Sequence, residues 1–203
     1  MKVEPRSDLT KDQLQRFQEA WTAAQKSASQ PARAVEHLKV AYELDPGHAG
    51  VNYFLGRLAW ESGDWESAEN YLRAAKDADV CPLRAPTSVQ DAVREVAELY
   101  RVPMIDADKL FSDRSPHGIV GNLWLVDHVH PNVEGHQLLG EALCEVCISE
   151  GWLSERDPQW RESRTERVRA HLRSLGEDYF HRGKQRLEGL MLWTQGRAKK
   201  IRP

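Results

Sequence analysis

The sequence predicts a mostly α-helical chain, in which helical hairpins precede the C-terminal part of an α/β domain and a helical tail. Three observations lead to this fold class. A helical pattern recurs early at a period of 34 residues, an amphipathic helix over residues 88–101 precedes a short apolar strand, and the last 50 residues carry helical spacing. We therefore expect domains at residues 1–80, 81–150 and 151–203.

Two copies of one hairpin pattern make up the first domain. The residues that recur at the 34-residue spacing are Ala34 with Ala68, Leu38 with Leu72, and Ala41 with Ala75. Leu55-Gly56 belongs to the second copy, where the first has Trp21-Thr22. The pattern resembles the tetratricopeptide repeat (TPR), in which small residues let paired helices approach and bulky residues fill the groove between hairpins.

Local signals place four helices in the repeats. Thr10 followed by Gln13 is a capping-box start, and Pro31 suits a first helical turn. Gly63-Asp64 separates the two helices of the second hairpin. The helices are expected at about residues 11–27, 31–44, 49–62 and 65–78.

The resemblance to tetratricopeptide repeats implies a protein or peptide partner, because such stacks present a concave surface. The candidate residues on the helix expected to line it are Asn52, Tyr53, Arg57 and Trp60. Alternatively, because two repeats form a short stack, Tyr53 and Trp60 simply pack against neighbouring helices.

Residues 81–150 show the order helix, strand, helix, loop, helix. The apolar face of the first helix comprises Val89, Ala92, Val93, Val96, Ala97 and Tyr100. Val102–Ile105 is predicted as a strand, Ala107–Phe111 as a helical turn, and Leu123–Val126 as a brief strand or a buried loop. One or two strands cannot form a sheet covered on both faces, so the sheet needs further strands or the segment is only marginally folded.

The segment around residue 130 carries the clearest chemical signal. An apolar run ends at Asp127, His130 follows three residues later, and Pro131 is expected to open an amphipathic helix. A carboxylate hydrogen-bonded to an imidazole fixes its tautomer and stabilises the imidazolium that forms when the ring takes a proton. We predict that His130 is a general base oriented by Asp127.

Asp127-His128-Val129-His130-Pro131 resembles the last signature block of the SGNH/GDSL hydrolases, Asp-x-x-His followed by Pro. Val102–Asp106 is similar to a late strand of that family, and residues 115–121, including His117, to a loop of its repeat-containing members. The resemblance covers about residues 81–150. It implies a flavodoxin-like α/β domain that cleaves esters, with His130 and Asp127 as catalytic residues.

The family's nucleophile block is missing. The only Gly-Asp pair, Gly63-Asp64, is followed by Trp65 instead of Ser, and no Gly-x-Asn-Asp block supplies oxyanion donors. We therefore expect the C-terminal portion of a TPR-containing SGNH/GDSL-type ester hydrolase, inactive unless the nucleophile half is supplied. The alternative is a non-catalytic TPR protein-interaction module.

A metal site competes with the base–orienter pair, because His128, His130 and His136 with Asp127 offer nitrogen and oxygen ligands. We favour the pair, and expect neither a metal nor a cofactor. Cys144 and Cys147 form a Cys-x-x-Cys, but with no second cysteine pair nearby we expect buried free thiols.

Charge is unevenly distributed along the chain. The net charge of −3 divides into +6 for residues 151–203 and −9 for residues 1–150. The basic tail, with helices expected at Arg164–Leu175 and Asp178–Trp193, either contacts an acidic partner or lipid headgroups or is a solvated surface. We expect no nucleic-acid partner. Lacking a signal-peptide core and a transmembrane segment, the chain as given is expected to be cytoplasmic.

Overall fold

A computed structural model describes residues 4–154 and 159–194 of the chain, and in these ranges the regular structure is helical. The helices are α1 (Lys11–Lys26), α2 (Pro31–Leu44), α3 (Ala49–Ser62), α4 (Trp65–Asp77), α5 (Thr87–Leu99), α6 (Ala107–Ser112), α7 (Val133–Ser149), α8 (Trp160–Ser174) and α9 (Glu177–Thr194), with a 3₁₀ turn at Pro116–Gly118. Contacts divide the chain into two compact units, Met1–Leu123 and Trp124–Pro203.

Helices α1 to α4 begin and end at the predicted local signals. Both hydrogen bonds of the capping box are present, with Gln13 N donating to Thr10 Oγ1 over 3.2 Å and Thr10 N donating to Gln13 Oε1 over 2.9 Å. Gly63 ends α3 at a φ of +83°, a conformation that costs glycine little. Asp64 then caps α4 by accepting the Ser67 N–H over 3.1 Å.

The two hairpins share one apolar core. Its buried members are Phe17, Ala20, Ala24, Leu38, Ala41, Val51 and Leu55, which come from α1, α2 and α3. Gly56 is needed for the close approach of α3 and α4, because a Cβ there would lie 2.7 Å from Leu72 Cγ. The small residues of the repeat therefore act as the sequence predicts, and the mostly helical prediction is confirmed for the described residues.

Three polar side chains are buried at the junction of the hairpins, where α3 begins, namely those of Asp45, His48 and Asn52. His48 caps α3 by accepting the Val51 N–H at Nδ1 over 3.1 Å, and its ring packs against Phe17 and Trp21 at centroid distances of 4.9 and 5.2 Å. Burial lowers the pKa of His48, and nearby Asp45 opposes this only in part. Asp45 in turn accepts the Arg6 N–H over 2.9 Å.

The predicted strand at Val102–Ile105 does not form, and that prediction is wrong. This segment follows the C-terminus of α5, where Val102 N still donates to Ala97 O over 2.8 Å. A strand needs a neighbour for its backbone groups. The only ladder pairing in residues 4–154 and 159–194 is one isolated bridge, between Leu125 and Pro131.

The apolar face of α5 is exposed. Its exposed members are Val89, Val93, Val96, Leu99 and Tyr100. With no strands among the described residues, that face has no sheet to cover it, so the expected flavodoxin-like α/β domain is not supported. The segment after α5 is held instead by an ion pair, Arg94 Nε to Asp106 Oδ2 at 2.7 Å, which lowers the pKa of Asp106.

In the second unit, ion pairs join α7 to α8. Arg161 Nε lies 2.8 Å from Glu141 Oε1, Arg161 also pairs with Glu145, and Arg164 lies 3.2 Å from Glu141 Oε2. Burial would raise the pKa of Glu141, but the two guanidinium groups outweigh it and lower the pKa. Part of the positive charge of the tail is therefore neutralised within the chain.

Within residues 159–194 the tail forms two helices, as predicted, although both begin earlier than expected, at Trp160 and Glu177. None of the helices in the described ranges combines the length and the apolar composition that crossing a bilayer requires.

Candidate functional site

Two of the four side chains predicted to line a partner surface, Tyr53 and Arg57, are exposed on α3. Tyr53 is exposed, and its ring meets Phe54 edge-on at a centroid distance of 5.8 Å. Arg57 lies on the same helix one turn later, and its guanidinium lies 2.9 Å from Glu61 Oε1 in an exposed ion pair. An exposed aromatic ring beside an exposed guanidinium is typical of sites that bind a peptide.

Asn52 does not belong to this surface, so the prediction for it is wrong. The residue is only 1% exposed. Its Nδ2 donates to Pro46 O over 2.7 Å and to His48 O over 3.1 Å, which ties the loop between the hairpins to α3. Its Oδ1 is buried and, within the described part of the chain, accepts no hydrogen bond.

Trp60, the fourth predicted residue, is half-buried in a cluster of three rings. Its indole meets Trp65 edge-on at 4.8 Å and His117 edge-on at 5.8 Å. The imidazole of His117 lies flat on Trp65, with centroids 3.9 Å apart and planes within 9°. Sequence reasoning missed this cluster because His117 is about 50 residues from the tryptophans; the two Trp residues flanking Gly63-Asp64 were the only local signal.

Asp127 and His130 are hydrogen-bonded to each other in the second unit. Asp127 Oδ2 lies 2.8 Å from His130 Nδ1, and Asp127 Oδ1 accepts the backbone N–H groups of Val129 and His130, each over 2.8 Å. The His130 side chain is 71% exposed, whereas that of Asp127 is 10% exposed. A well-covered carboxylate thus orients an accessible ring.

A small closed loop holds this pair in place. Val126 N donates to His130 O over 2.9 Å, and Asn132 N donates to Trp124 O over 2.8 Å, on either side of the bridge between Leu125 and Pro131. Pro131 therefore does not open α7 as expected. It pairs in the loop, and Asn132 caps the helix by accepting the Gly135 N–H over 2.8 Å.

Gly135 lets α7 approach this loop. A Cβ on Gly135 would lie 2.5 Å from the carbonyl oxygen of Trp124, closer than any side chain tolerates. The glycine therefore fixes the start of α7 directly behind the Asp127 loop.

The hydrogen bonds keep the Asp127 carboxylate ionised. Partial burial would raise the pKa of Asp127, but the N–H groups of His130 and Val129 and the His130 ring outweigh it and hold the pKa at about 2. The ionised carboxylate accepts a hydrogen bond at His130 Nδ1, so in the neutral tautomer of the ring Nε2 carries the lone pair. No hydroxyl group of the described residues is hydrogen-bonded to this ring.

The metal alternative gains no support. In the parts of the chain that the structure describes, no three or more His, Cys, Asp or Glu side chains are placed to hold a metal ion. His136 lies exposed on α7. Cys144 and Cys147, also on α7, are free and half-buried.

Residues 25–81 match the tetratricopeptide repeat family. The matched range runs from the end of α1 through α4 and includes the recurring residue pairs from Ala34 to Ala75, so this part of the predicted family resemblance is confirmed. The match does not extend to the Asp127–His130 segment, and the SGNH/GDSL resemblance gains no support from it. No curated protein and no solved structure matches the chain.

Proposed function

We propose that this chain is a protein-interaction module that binds a peptide segment of a partner through its tetratricopeptide hairpins. The observation that carries the proposal is the repeat match over residues 25–81 on helices that pack as paired hairpins. Stacked helical hairpins supply a rigid surface whose ordering costs no further entropy on binding.

Tyr53 and Arg57 are the residues proposed to contact the partner. Both are exposed on α3. The ring of Tyr53 makes a large contact with little loss of conformational freedom, and the guanidinium of Arg57 is planar and carries several hydrogen-bond donors. Arg57 is also matched by a control on the other helix of the hairpin. Arg73 pairs with Glu69 on α4 over the same four-residue spacing, with the order of the two charges reversed, and with similar exposure.

A random peptide library, panned on the immobilised full chain, tests this proposal. The enriched peptides are then measured against the wild type and the single variants Tyr53→Ala, Arg57→Ala and Arg73→Ala. We expect losses of roughly tenfold or more for the two α3 variants and less than about twofold for Arg73→Ala.

Two results would count against the proposal. One is a library from which the chain enriches no peptide. The other is a set of peptides that bind both α3 variants as tightly as the wild type.

The Asp127–His130 pair favours a second candidate, the base half of an ester-hydrolysing centre. In this role His130 Nε2 takes a proton from a Ser hydroxyl, while Asp127 stabilises the imidazolium. The Ser and the oxyanion donors must be supplied to the pair, because the sequence contains no recognisable block for either.

Assay of the purified chain with an activated aryl ester tests this candidate. We expect no turnover that depends on His130, because a base without its nucleophile does little acyl transfer. Turnover that His130→Ala removes and His128→Ala preserves would show that a nucleophile within the chain completes the centre. In NMR spectra, an Nδ1–H signal of His130 that Asp127→Asn leaves unchanged would contradict the pairing itself.

A further inference from the structure

The stacked rings of Trp65 and His117 lie at the outer turn of the second hairpin. Trp65 opens α4, and Trp60 belongs to α3, the helix proposed above to contact the partner. His117 reaches this turn from the 3₁₀ turn at Pro116–Gly118, which follows α6. The chain therefore places one of its own side chains on the aromatic end of the repeat unit.

This contact is not part of the buried core. Trp65 is 37% exposed despite the stack, and His117 is exposed. His117 also has a φ of +54°, a left-handed backbone conformation that is unfavourable for a residue with a side chain. The stacking therefore has to offset backbone strain, which makes the contact easy to exchange.

The segment that carries His117 has anchors that do not involve its ring. Phe111 is buried, and Ser112 Oγ donates to Gly118 O over 2.8 Å. The Arg94–Asp106 ion pair holds the start of α6. If the ring leaves Trp65, these anchors keep it close by, so it acts as a tethered competitor of high effective concentration.

The charge around the tryptophans indicates which side chain fits. Three acidic residues border them in the sequence, Glu61 next to Trp60 and Asp64 and Glu66 on either side of Trp65. A flat cation that lies on an indole gains from the π-face and from neighbouring carboxylates. Arginine meets both requirements, because its guanidinium is planar and permanently charged.

We propose that Trp60 and Trp65 form a binding site for an Arg side chain of a basic partner segment, and that His117 occupies this site in the free chain. The inference rests on the proposed protein-binding function and names a contact for it. The partner's guanidinium replaces the imidazole on Trp65, while α6 and the Ser112–Gly118 hydrogen bond stay in place.

A peptide with the sequence of residues 115–121, which contains no arginine of its own, serves as the probe and is added in trans to the full-length chain. Three versions carry the wild-type His117, His117→Arg or His117→Asn, and the indole N–H signals of Trp60 and Trp65 report binding by NMR. On a chain carrying His117→Asn, we expect the Arg version to bind about threefold to tenfold more tightly than the Asn version. The wild-type chain should bind the Arg version more weakly than the His117→Asn chain by a similar factor, because its own ring competes.

Two chain variants separate the ring from the charge. Trp65→Leu, introduced into the His117→Asn chain, should abolish the preference for the Arg peptide. Glu66→Gln leaves the ring in place and should weaken only the Arg version, whereas Glu43→Gln, at an exposed position on α2, should change neither. Glu66→Gln keeps the test valid if Trp65→Leu disturbs folding.

Equal binding of the Arg and Asn peptides, or equal binding of the Arg peptide by the wild-type and His117→Asn chains, would overturn the inference. Such a result leaves the proposed function intact if library peptides still depend on Tyr53 and Arg57. Conversely, Arg-peptide binding at the tryptophans together with library peptides that bind independently of Tyr53 and Arg57 would overturn the α3 surface alone.

Discussion

The repeat hairpins and the segment from α5 to α7 differ in what covers their apolar residues. In the repeats, Leu38 of α2 is 1% exposed, whereas Val93 of α5 is 55% exposed. Both lie on apolar faces of well-formed helices. Helical periodicity therefore indicates which face is apolar, but burial of that face requires a second element at the right distance.

Replacement of Leu38 by Ala gives the largest expected effect. The leucine is enclosed by α1, α2 and α3, so truncation leaves a cavity, and we expect a loss of about 2–5 kcal/mol in the free energy of unfolding of the hairpins. Val93→Ala, the matched change on α5, should alter stability by less than about 0.5 kcal/mol. Denaturant unfolding followed by circular dichroism, with hydrogen exchange of the α1–α4 amides, measures both.

A loss from Val93→Ala as large as that from Leu38→Ala would remove the contrast between the regions. It would show that the apolar face of α5 is covered in solution.

Two helical glycines sharpen the same comparison. In α3, a methyl group on Gly56 would meet Leu72 side-chain and backbone atoms within 3.1 Å, whereas no atom lies within 4 Å of one on Gly140 in α7. Gly56→Ala should therefore cost about 1–3 kcal/mol through overpacking. Gly140→Ala should raise stability by up to about 1 kcal/mol, because alanine loses less backbone entropy. Thermal unfolding of both variants measures these changes in stability. Two changes of the same sign would contradict the packing described for α3 and α4.

Features set by residues close in the sequence were predictable, and features set by distant residues were not. The Thr10–Gln13 capping box and the Asp127–His130 hydrogen bond each span three residues, and both form as their spacing predicts. The strand at Val102–Ile105 failed because ladder pairing depends on segments far away in the sequence.

The burial of a single polar side chain and the stacking of rings from distant residues were also not predictable from the sequence. Asparagine is mostly found on protein surfaces, yet Asn52 is buried, where its side chain donates hydrogen bonds to the carbonyl groups of Pro46 and His48. The stack of His117 on Trp65 joins two helical regions whose packing no periodicity encodes.

A third prediction concerns acid sensitivity, which His48 should confer on the repeats alone. Burial lowers the pKa of His48 below the value of about 6.5 expected in the unfolded chain, so the unfolded chain binds more protons as the pH falls. The contribution of His48 to stability is therefore complete above about pH 6.5 and is lost below it, toward the lower folded-state pKa. His48→Asn keeps a capping oxygen for the Val51 N–H but cannot titrate.

Hydrogen exchange of the α1–α4 amides at pH 7 and pH 5 measures this dependence. The loss of protection between these pH values should shrink in His48→Asn and persist in His136→Asn, which changes an exposed ring on α7. If His48→Asn leaves the pH dependence of amide protection unaltered, another titrating group is responsible for it.

The smallest effect is expected where charge, instead of apolar packing, joins two helices. Glu141 on α7 pairs with Arg161 and Arg164 of α8, and partly exposed pairs of this kind contribute less than about 1 kcal/mol each. Because the guanidinium groups lower the pKa of Glu141, the contribution of Glu141 to stability is present above its unfolded-state pKa of about 4.3 and is lost as the pH falls through its folded-state pKa.

Glu141→Gln should therefore speed hydrogen exchange in α8 modestly at neutral pH, and added salt should reduce the difference from the wild type, since salt screens exposed charges. Glu166→Gln, which changes an exposed acid on α8 itself, is the control. If Glu141→Gln instead destabilised α8 as much as Leu38→Ala destabilises the repeats, regardless of salt, the contacts within the second unit would be as strong as those within the repeats. The distinction between a packed repeat unit and a charge-paired second unit would then fail.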